Sequence, residues 1–389
     1  NGEYERKVSN IVYITLKTDS GDNNRGFLQI RDGGYPGHLM WEYSLGAVED
    51  QEGTDITSDF NNFDSSYGTP AIADYDGDGK MDVAVAKPNG EVLFLEPVIT
   101  YNSDSEDYTV TSNGASWSLN TGITIVRSNP TIATFDGGND LVVSGIDIDV
   151  NQVAVIAIDG SDASQIWKFS GPSEAETPEI SSPVVLDDNG NKKVFVSAYY
   201  DSASLGVYGI QGGSLLTGWN PKNIGSIISP TESGHHPLLP SIVISNLTID
   251  EGKEILVPQP PSSSEDNSKL WLFKQDGSYA SGWDGGSYTL TNGGDIDSTP
   301  AIGDVDGDGD NEIVAVTWID EGALYDEVTH VWSVHHNRVL DWHEQYDTDS
   351  TGGGWDDDEH AISSPILAVI YSDDGSENLD VFTCTTPVC

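Results

Sequence analysis

Asp304-Val-Asp306-Gly-Asp308-Gly-Asp310-Asn-Glu312 sets acidic side chains at alternate positions, threads glycines between them and closes on a further acid at the ninth. Asp74-Tyr-Asp76-Gly-Asp78-Gly-Lys80-Met-Asp82 is its twin. A hard cation such as Ca²⁺ collects about six to eight oxygens, and an open loop wraps one ion only if alternate residues point inward and glycine permits the sharp turn. In both copies the first, third and fifth residues are Asp, the seventh (Lys80 or Asp310) offers its main-chain carbonyl, and the ninth is Asp82 or Glu312. A helix–loop–helix hand closes on a glutamate further along. Here the ninth residue instead leads into Val83-Ala-Val85 or Ile313-Val-Ala-Val316, and β-branched runs of that kind read as strands. The plain alternative is a pair of solvated acidic turns.

The surroundings of the two loops recur along the chain. Each unit opens on a small residue, a proline and an apolar pair: Thr69-Pro70-Ala-Ile72, Asn129-Pro130-Thr-Ile132, Ser182-Pro183-Val-Val185, Leu239-Pro240-Ser-Ile242, Thr299-Pro300-Ala-Ile302 and Ser364-Pro365-Ile-Leu367. An Asp/Gly/Asn-rich turn and a β-branched strand follow, then a third strand such as Glu91-Val-Leu-Phe-Leu95 or Leu270-Trp-Leu-Phe273, then a fourth marked by tryptophan. A repeat of this length with these turns predicts four antiparallel strands per unit. Residues 11–46 hold only the second half of a unit and the last opening supplies only a first half. Together they complete one blade, which closes a ring and leaves no bare sheet edge.

The expected fold is therefore all-β: a single six-bladed β-propeller over residues 1–389, with a composite blade from 10–46 plus 363–389 and blades near 69–127, 128–180, 181–238, 239–297 and 298–362. Seven blades would need one more unit.

The repeat resembles the FG-GAP/VCBS family of β-propellers, the fold also seen in the integrin α-chain head. The likeness is strongest at 69–86 and 298–316, where Thr-Pro-Ala-Ile, the Asp/Gly loop and the strand stand in register. It implies calcium ligation by Asp74, Asp76, Asp78, Asp82 and the Lys80 carbonyl, and by Asp304, Asp306, Asp308, Glu312 and the Asp310 carbonyl. The other units depart from the pattern. Thr134-Phe-Asp136-Gly-Gly-Asn-Asp140 is shorter, Asp187-Asp-Asn-Gly-Asn191 lacks the closing acid, Ser245 to Glu254 has lost the alternation, and Tyr371 to Asp380 is too long. About two calcium ions are expected.

Lys and Arg total 16 against 64 Asp and Glu, a formal net charge of −48, which argues against nucleic acid or an anionic membrane as partner. Self-repulsion on that scale calls for salt or divalent cations, so an extracellular or cell-surface, secreted protein is expected. The start at Asn1 suits a mature secreted chain or an excised fragment. No stretch approaches the ~20 apolar residues of a membrane span. The two cysteines, Cys384 and Cys389, are spaced for a local disulfide; two free thiols or a cross-link to a neighbouring chain are the alternatives. Asn246-Leu-Thr248 is an N-glycosylation acceptor in an exposed turn.

In a propeller the segment before each first strand runs to the face opposite the calcium turns, and the integrin likeness makes that face the ligand surface. Asp64, Tyr67, Arg127, Glu176, His236, Asp297, Trp355 and His360 occupy such positions. Of these, Trp355 lies in Gly352-Gly-Gly-Trp-Asp-Asp-Asp-Glu359, a glycine-rich acidic loop that presents one indole for stacking on a sugar or a protein. The histidines read equally as polar loop residues. No Gly-x-Ser-x-Gly elbow, phosphate-cradling loop or His-Glu-x-x-His occurs. The expectation is a non-enzymatic adhesion or recognition module for a surface glycan or protein. The alternatives are a self-assembling subunit of a surface filament or layer, and a calcium-dependent polysaccharide lyase, for which only Arg127 offers a cation among those loops.

Overall fold

In the computed structural model the described residues are 12–19, 25–32, 39–47, 68–102, 107–111, 115–125, 128–147, 149–171, 180–201, 204–219, 221–226, 239–248, 250, 252–261, 267–291, 294–296, 298–320, 327–347, 364–368 and 380–382. All regular structure among them is strand. By contacts the chain divides into two compact units, Asn1–Ser173 and Glu174–Cys389.

In the first unit, Ala71–Ala73, Asp82–Ala86, Glu91–Leu95 and Ala115–Asn120 form one antiparallel sheet, and Thr131–Ala133, Asp140–Asp147, Gln152–Ile158 and Gln165–Ser170 form the next. The second and third strands of each sheet read as nearly unbroken apolar runs because both their faces are covered. Successive side chains of a strand point to opposite faces. Ala84, Ala86, Val92 and Phe94 accordingly enter a core shared with Leu141, Val143 and Ile156 of the next sheet. Val83, Val85, Leu93 and Leu95 face the other way, onto Leu28 and Leu45 of the sheet formed by Val12–Asp19, Arg25–Asp32 and Leu39–Ala47.

The second unit repeats this logic. Ile255, Val257 and Phe273 enter one core and Leu256, Leu270 and Leu272 the next. Ile313 and Ala315 join the latter, while Val314 and Val316 turn toward Leu367 on Ile366–Ala368, which pairs with Asp380–Phe382. The sheet of 184–226 has five strands, because Ser214–Leu215 and Lys222–Ser226 both pair with Ser204–Gln211 and together take the place of one fourth strand.

Two details differ from the sequence reading. A hairpin of Val98–Asn102 and Asp107–Thr111 is inserted between the third and fourth strands of the 71–120 sheet. Trp283 stands in the turn before its fourth strand, and Trp219 in the turn between the two short strands that replace one. Both indoles reach the next repeat. Trp219 donates its indole N–H to the Gln275 carbonyl at 2.8 Å and Trp283 to the His336 carbonyl at 2.5 Å, each in the third-to-fourth-strand turn of the following repeat. In the first unit Trp117 makes the same bond to Gly160 O at 2.7 Å.

In three of the openings a main-chain N–H reaches the small side chain that precedes the next repeat's proline. Thr69 N donates to Asn129 Oδ1 at 2.6 Å, Ser241 N to Thr299 Oγ1 at 3.0 Å and Thr299 N to Ser364 Oγ at 3.1 Å. The small polar residue of the opening is thus a stitch between neighbouring first strands.

Trp219 is fully buried, so Trp219→Phe, which keeps an aromatic ring but loses the donor, is expected to cost about 1–3 kcal/mol. Trp219→Ala is expected to cost about 3–5 kcal/mol. Denaturant midpoints of the three proteins measure this, and a Phe variant as stable as the parent would mean that the indole bond contributes nothing.

Candidate metal centre

The Asp74–Asp82 loop joins the first and second strands of its sheet, and its carboxylates are held by a fan of main-chain N–H groups. Asp74 accepts from Gly77 N at 2.8 Å and Gly79 N at 2.9 Å, Asp76 from Asp78 N at 3.0 Å, and Asp78 from Lys80 N at 2.8 Å. The Asp304–Glu312 loop repeats the fan bond for bond: Gly307 N and Gly309 N donate to Asp304 at 2.8 and 3.0 Å, Asp308 N to Asp306 at 3.0 Å, and Asp310 N to Asp308 at 2.9 Å. Gly77 and Gly79, like Gly307 and Gly309, have φ between +78° and +96°, a region that side chains with a Cβ disfavour.

Carboxylate oxygens of Asp74, Asp76 and Asp78 lie within 4.8 Å of one another, as do those of Asp304, Asp306 and Glu312. Two oxygens on one Ca²⁺ are separated by at most about 5 Å, twice the usual ligand distance. Both loops therefore fit a calcium-sized cation. They are not identical. Lys80 caps Asp78 with its ammonium, which holds that carboxyl below its usual range, whereas Asp310 adds a negative charge at the same position.

The ninth residue has a second task. Asp82 is only 2 % exposed and accepts from Tyr75 N at 2.9 Å; Glu312 is 0 % exposed and accepts from Val305 N at 2.9 Å. The degenerate loops keep this bond: Asp140 takes Phe135 N at 2.6 Å and Glu254 takes Leu247 N at 2.8 Å, both from buried positions. The residue before the closing acid is also used twice, since Asn139 Nδ2 donates to Asp74 O at 2.8 Å and Asn311 Nδ2 to Asn246 O at 3.4 Å. Burial pushes the Asp82 carboxyl up to about 6 against the pull of the Tyr75 N–H, and negative charge at Asp76 and Glu96 adds to the rise. Asp140 and Glu312 are raised for the same leading reason.

Two features escaped the sequence reading. Asp136, Asp140 and Asp159 also bring carboxylate oxygens within 4.8 Å, the last from the turn after Gln152–Ile158; Asp136 and Asp140 belong to the loop set aside as too short. His335 pairs with Glu312 across the second and third strands and places Nδ1 3.1 Å from its Oε1. The pairing register is the signal that finds it.

His330 and His343 stack with Trp332 and share a hydrogen bond of 2.9 Å between Nδ1 and Nε2, and burial lowers His330 to about 4, so this pair is uncharged packing. The Asn246 side chain is exposed, and the Thr248 hydroxyl donates to Glu254 Oε1 at 2.6 Å. Asp64, Tyr67, Arg127, Glu176, His236, Asp297, Trp355, His360, Cys384 and Cys389 lie outside the described residues.

Residues 67–95 match the FG-GAP repeat family, a span that contains the first loop and the three strands around it. The chain is similar to the C-terminal domain of Pseudomonas aeruginosa PilY1 (10 % identity, 97 % of this chain and 93 % of that one, TM-score 0.53). It is also similar to the quinohemoprotein alcohol dehydrogenase ADHIIG of Pseudomonas putida HK5 (12 %, 94 % and 67 %, 0.50) and to the Dos1 propeller (13 %, 96 % and 76 %, 0.49). A search of curated protein sequences returned no match. All regular structure among the described residues is strand, its sheets are those of the β-propeller fold, and the FG-GAP repeat match lies at residues 67–95.

A pH dependence follows for the metal-free protein. With its folded value near 6, Asp82 keeps a proton between about pH 4 and 6 that the unfolded chain has released. The folded state then binds more protons, so stability falls as pH rises through that window and levels off above it. Asp82→Asn, which still offers an oxygen to Tyr75 N, is expected to flatten this fall. Denaturant midpoints in chelator at several pH values test it, and equal slopes for parent and variant would contradict the assignment.

Proposed function

We propose that this protein is a calcium-loaded recognition module that acts at or outside the cell surface and binds a surface glycan or protein. The observation that carries the reading is the matched fan of N–H groups in two loops more than 200 residues apart in the chain, each holding three carboxylates within reach of one ion. Oxygen-only donor sets select hard cations, and calcium is the hard cation that tolerates an irregular loop. In this reading Asp74, Asp76, Asp78 and Asp82 with the Lys80 carbonyl hold one ion, and Asp304, Asp306, Asp308 and Glu312 with the Asp310 carbonyl hold the other. The ions tie the first-to-second-strand turns and neutralise part of a net charge of −48. They supply stability and leave chemistry to the partner's recognition.

The recognition face is assigned to the segments that precede the first strands, with Trp355 as the anchor and His236, Asp297 and His360 around it. Asn246, exposed on the turn side, is the assigned glycan acceptor.

A ligand that binds only the folded state adds about 2.7 kcal/mol per site at a hundredfold excess over its dissociation constant. Thermal unfolding with calcium and with chelator should therefore differ by many degrees, with about two ions per chain by elemental analysis and one after Asp306→Asn. No bound calcium and no shift would reduce both loops to acidic turns. A glycan and surface-protein screen in calcium tests the second half of the reading: Trp355→Ala is expected to lose binding without a change in the calcium-dependent shift.

A further inference from the structure

The two loops present different donors once the neighbouring strand is counted. Glu312 pairs with His335. In the first sheet Val83 pairs with Leu95, so the next position outward sets Glu96 opposite Asp82. Where the second loop has an imidazole, the first has a carboxylate, and Glu96 accepts a hydrogen bond from Ser116 Oγ at 2.9 Å. One ring nitrogen of His335 and one oxygen each of Asp306 and Asp308 lie within 4.8 Å of one another. This set overlaps, through Asp306, the all-oxygen set of Asp304, Asp306 and Glu312.

His335 is hydrogen-bonded at one ring nitrogen: its Nδ1 is 3.1 Å from Glu312 Oε1, whereas its Nε2 is 3.8 Å from Asp341 Oδ1, too far for a hydrogen bond. Asp341 Oδ2 is buried and meets no hydrogen-bond donor among the described residues. A carboxylate bonded to one ring nitrogen, with the other left for the ion, is the usual outer shell of a metal-ligating histidine. Lys80, which covers Asp78 in the first loop, has Asp310 as its counterpart, so among the described residues no ammonium competes for Asp308.

On the reading of both loops as cation sites, we propose that the Asp304–Glu312 loop is a mixed nitrogen and oxygen centre in which Asp306, Asp308 and His335 take a first-row transition cation of the Zn²⁺ or Co²⁺ kind, while the Asp74–Asp82 loop remains an oxygen site for calcium. Imidazole nitrogen suits zinc and its neighbours, and calcium gains little from it. Three protein donors leave room for water to complete the shell. The second loop is then the place where this protein responds to a metal other than calcium.

The test uses the full chain in saturating calcium. Zn²⁺ is titrated calorimetrically, Co²⁺ binding is followed by its visible absorption, and bound calcium is counted in the same samples. The parent is expected to take one equivalent of Zn²⁺ or Co²⁺ and to release calcium from one loop only. His335→Gln is expected to weaken Zn²⁺ by at least about tenfold and to abolish the cobalt band, with its calcium count and calcium-dependent thermal shift unchanged. Glu96→His, which places an imidazole opposite Asp82, is expected to create a second cobalt site. Zn²⁺ binding by His335→Gln within about twofold of the parent overturns the proposal, as does calcium displaced equally from both loops, or a parent that takes no Zn²⁺. Failure of the calcium reading is distinguishable, because it leaves no calcium in any sample before Zn²⁺ is added.

Discussion

The rest of the structure depends on a buried carboxylate at the head of the second strand in four of the repeats. Asp82, Asp140, Glu254 and Glu312 each accept the N–H of the second residue after the first strand, at 2.6–2.9 Å. An ionised group taken out of water is costly unless it is hydrogen-bonded, and leaving the N–H unpaired would cost about 1–3 kcal/mol more. The bond satisfies both at once and fixes where the turn begins. It is made in loops with and without the full acidic alternation, so the turn geometry precedes any metal. In the two complete loops the remaining aspartates are then arrayed by main-chain N–H groups and glycine, and a cation site is an elaboration of a turn that already stands.

The second constraint is that sheets covered on both faces must be joined to their neighbours by more than apolar contact. Alternate residues of one strand serve opposite cores, as Val83 and Ala84 do in the first unit and Ile313 and Val314 in the second. Apolar packing of this kind is weakly directional. Direction comes from polar stitches: the side chain before the opening proline, the tryptophan indole and the asparagine before the closing acid each bond main chain to side chain across the boundary between repeats. Each stitch is a single bond, yet the same three recur, so neighbouring repeats are registered at the inner strand, at the loop and at the outer turn.

Much of this was legible in the chain. The acidic loops, the prolines that open each repeat and the continuous apolar second and third strands are local patterns, and local patterns survive translation into structure. What was not legible is what strand register alone creates. His335 stands 23 residues beyond Glu312 and meets it only because the two strands pair there. Asp140 and Glu254 looked like remnants because the loop of the first is shorter and that of the second has lost the alternating acids, although the bond they make spans the turn and is indifferent to the residues between. Trp219 and Trp283 suggested strand positions by their spacing but lie in turns, from which their indoles make the bond to the next repeat's turn that Trp117 makes from within its strand. The 98–111 hairpin alternates as a strand pair should, and went unread because the repeat seemed complete without it.

These constraints separate scaffold from metal. The buried acid belongs to every turn that has it, whereas the proposed calcium ions belong only to the two loops with the complete fan. Diffraction from crystals grown in calcium, with anomalous differences measured at a long wavelength, tests this most directly. The account predicts strong peaks within the Asp74–Asp82 and Asp304–Glu312 loops and none at 134–140 or 246–254. Empty complete loops, or a peak of equal height beside Glu254, would contradict it.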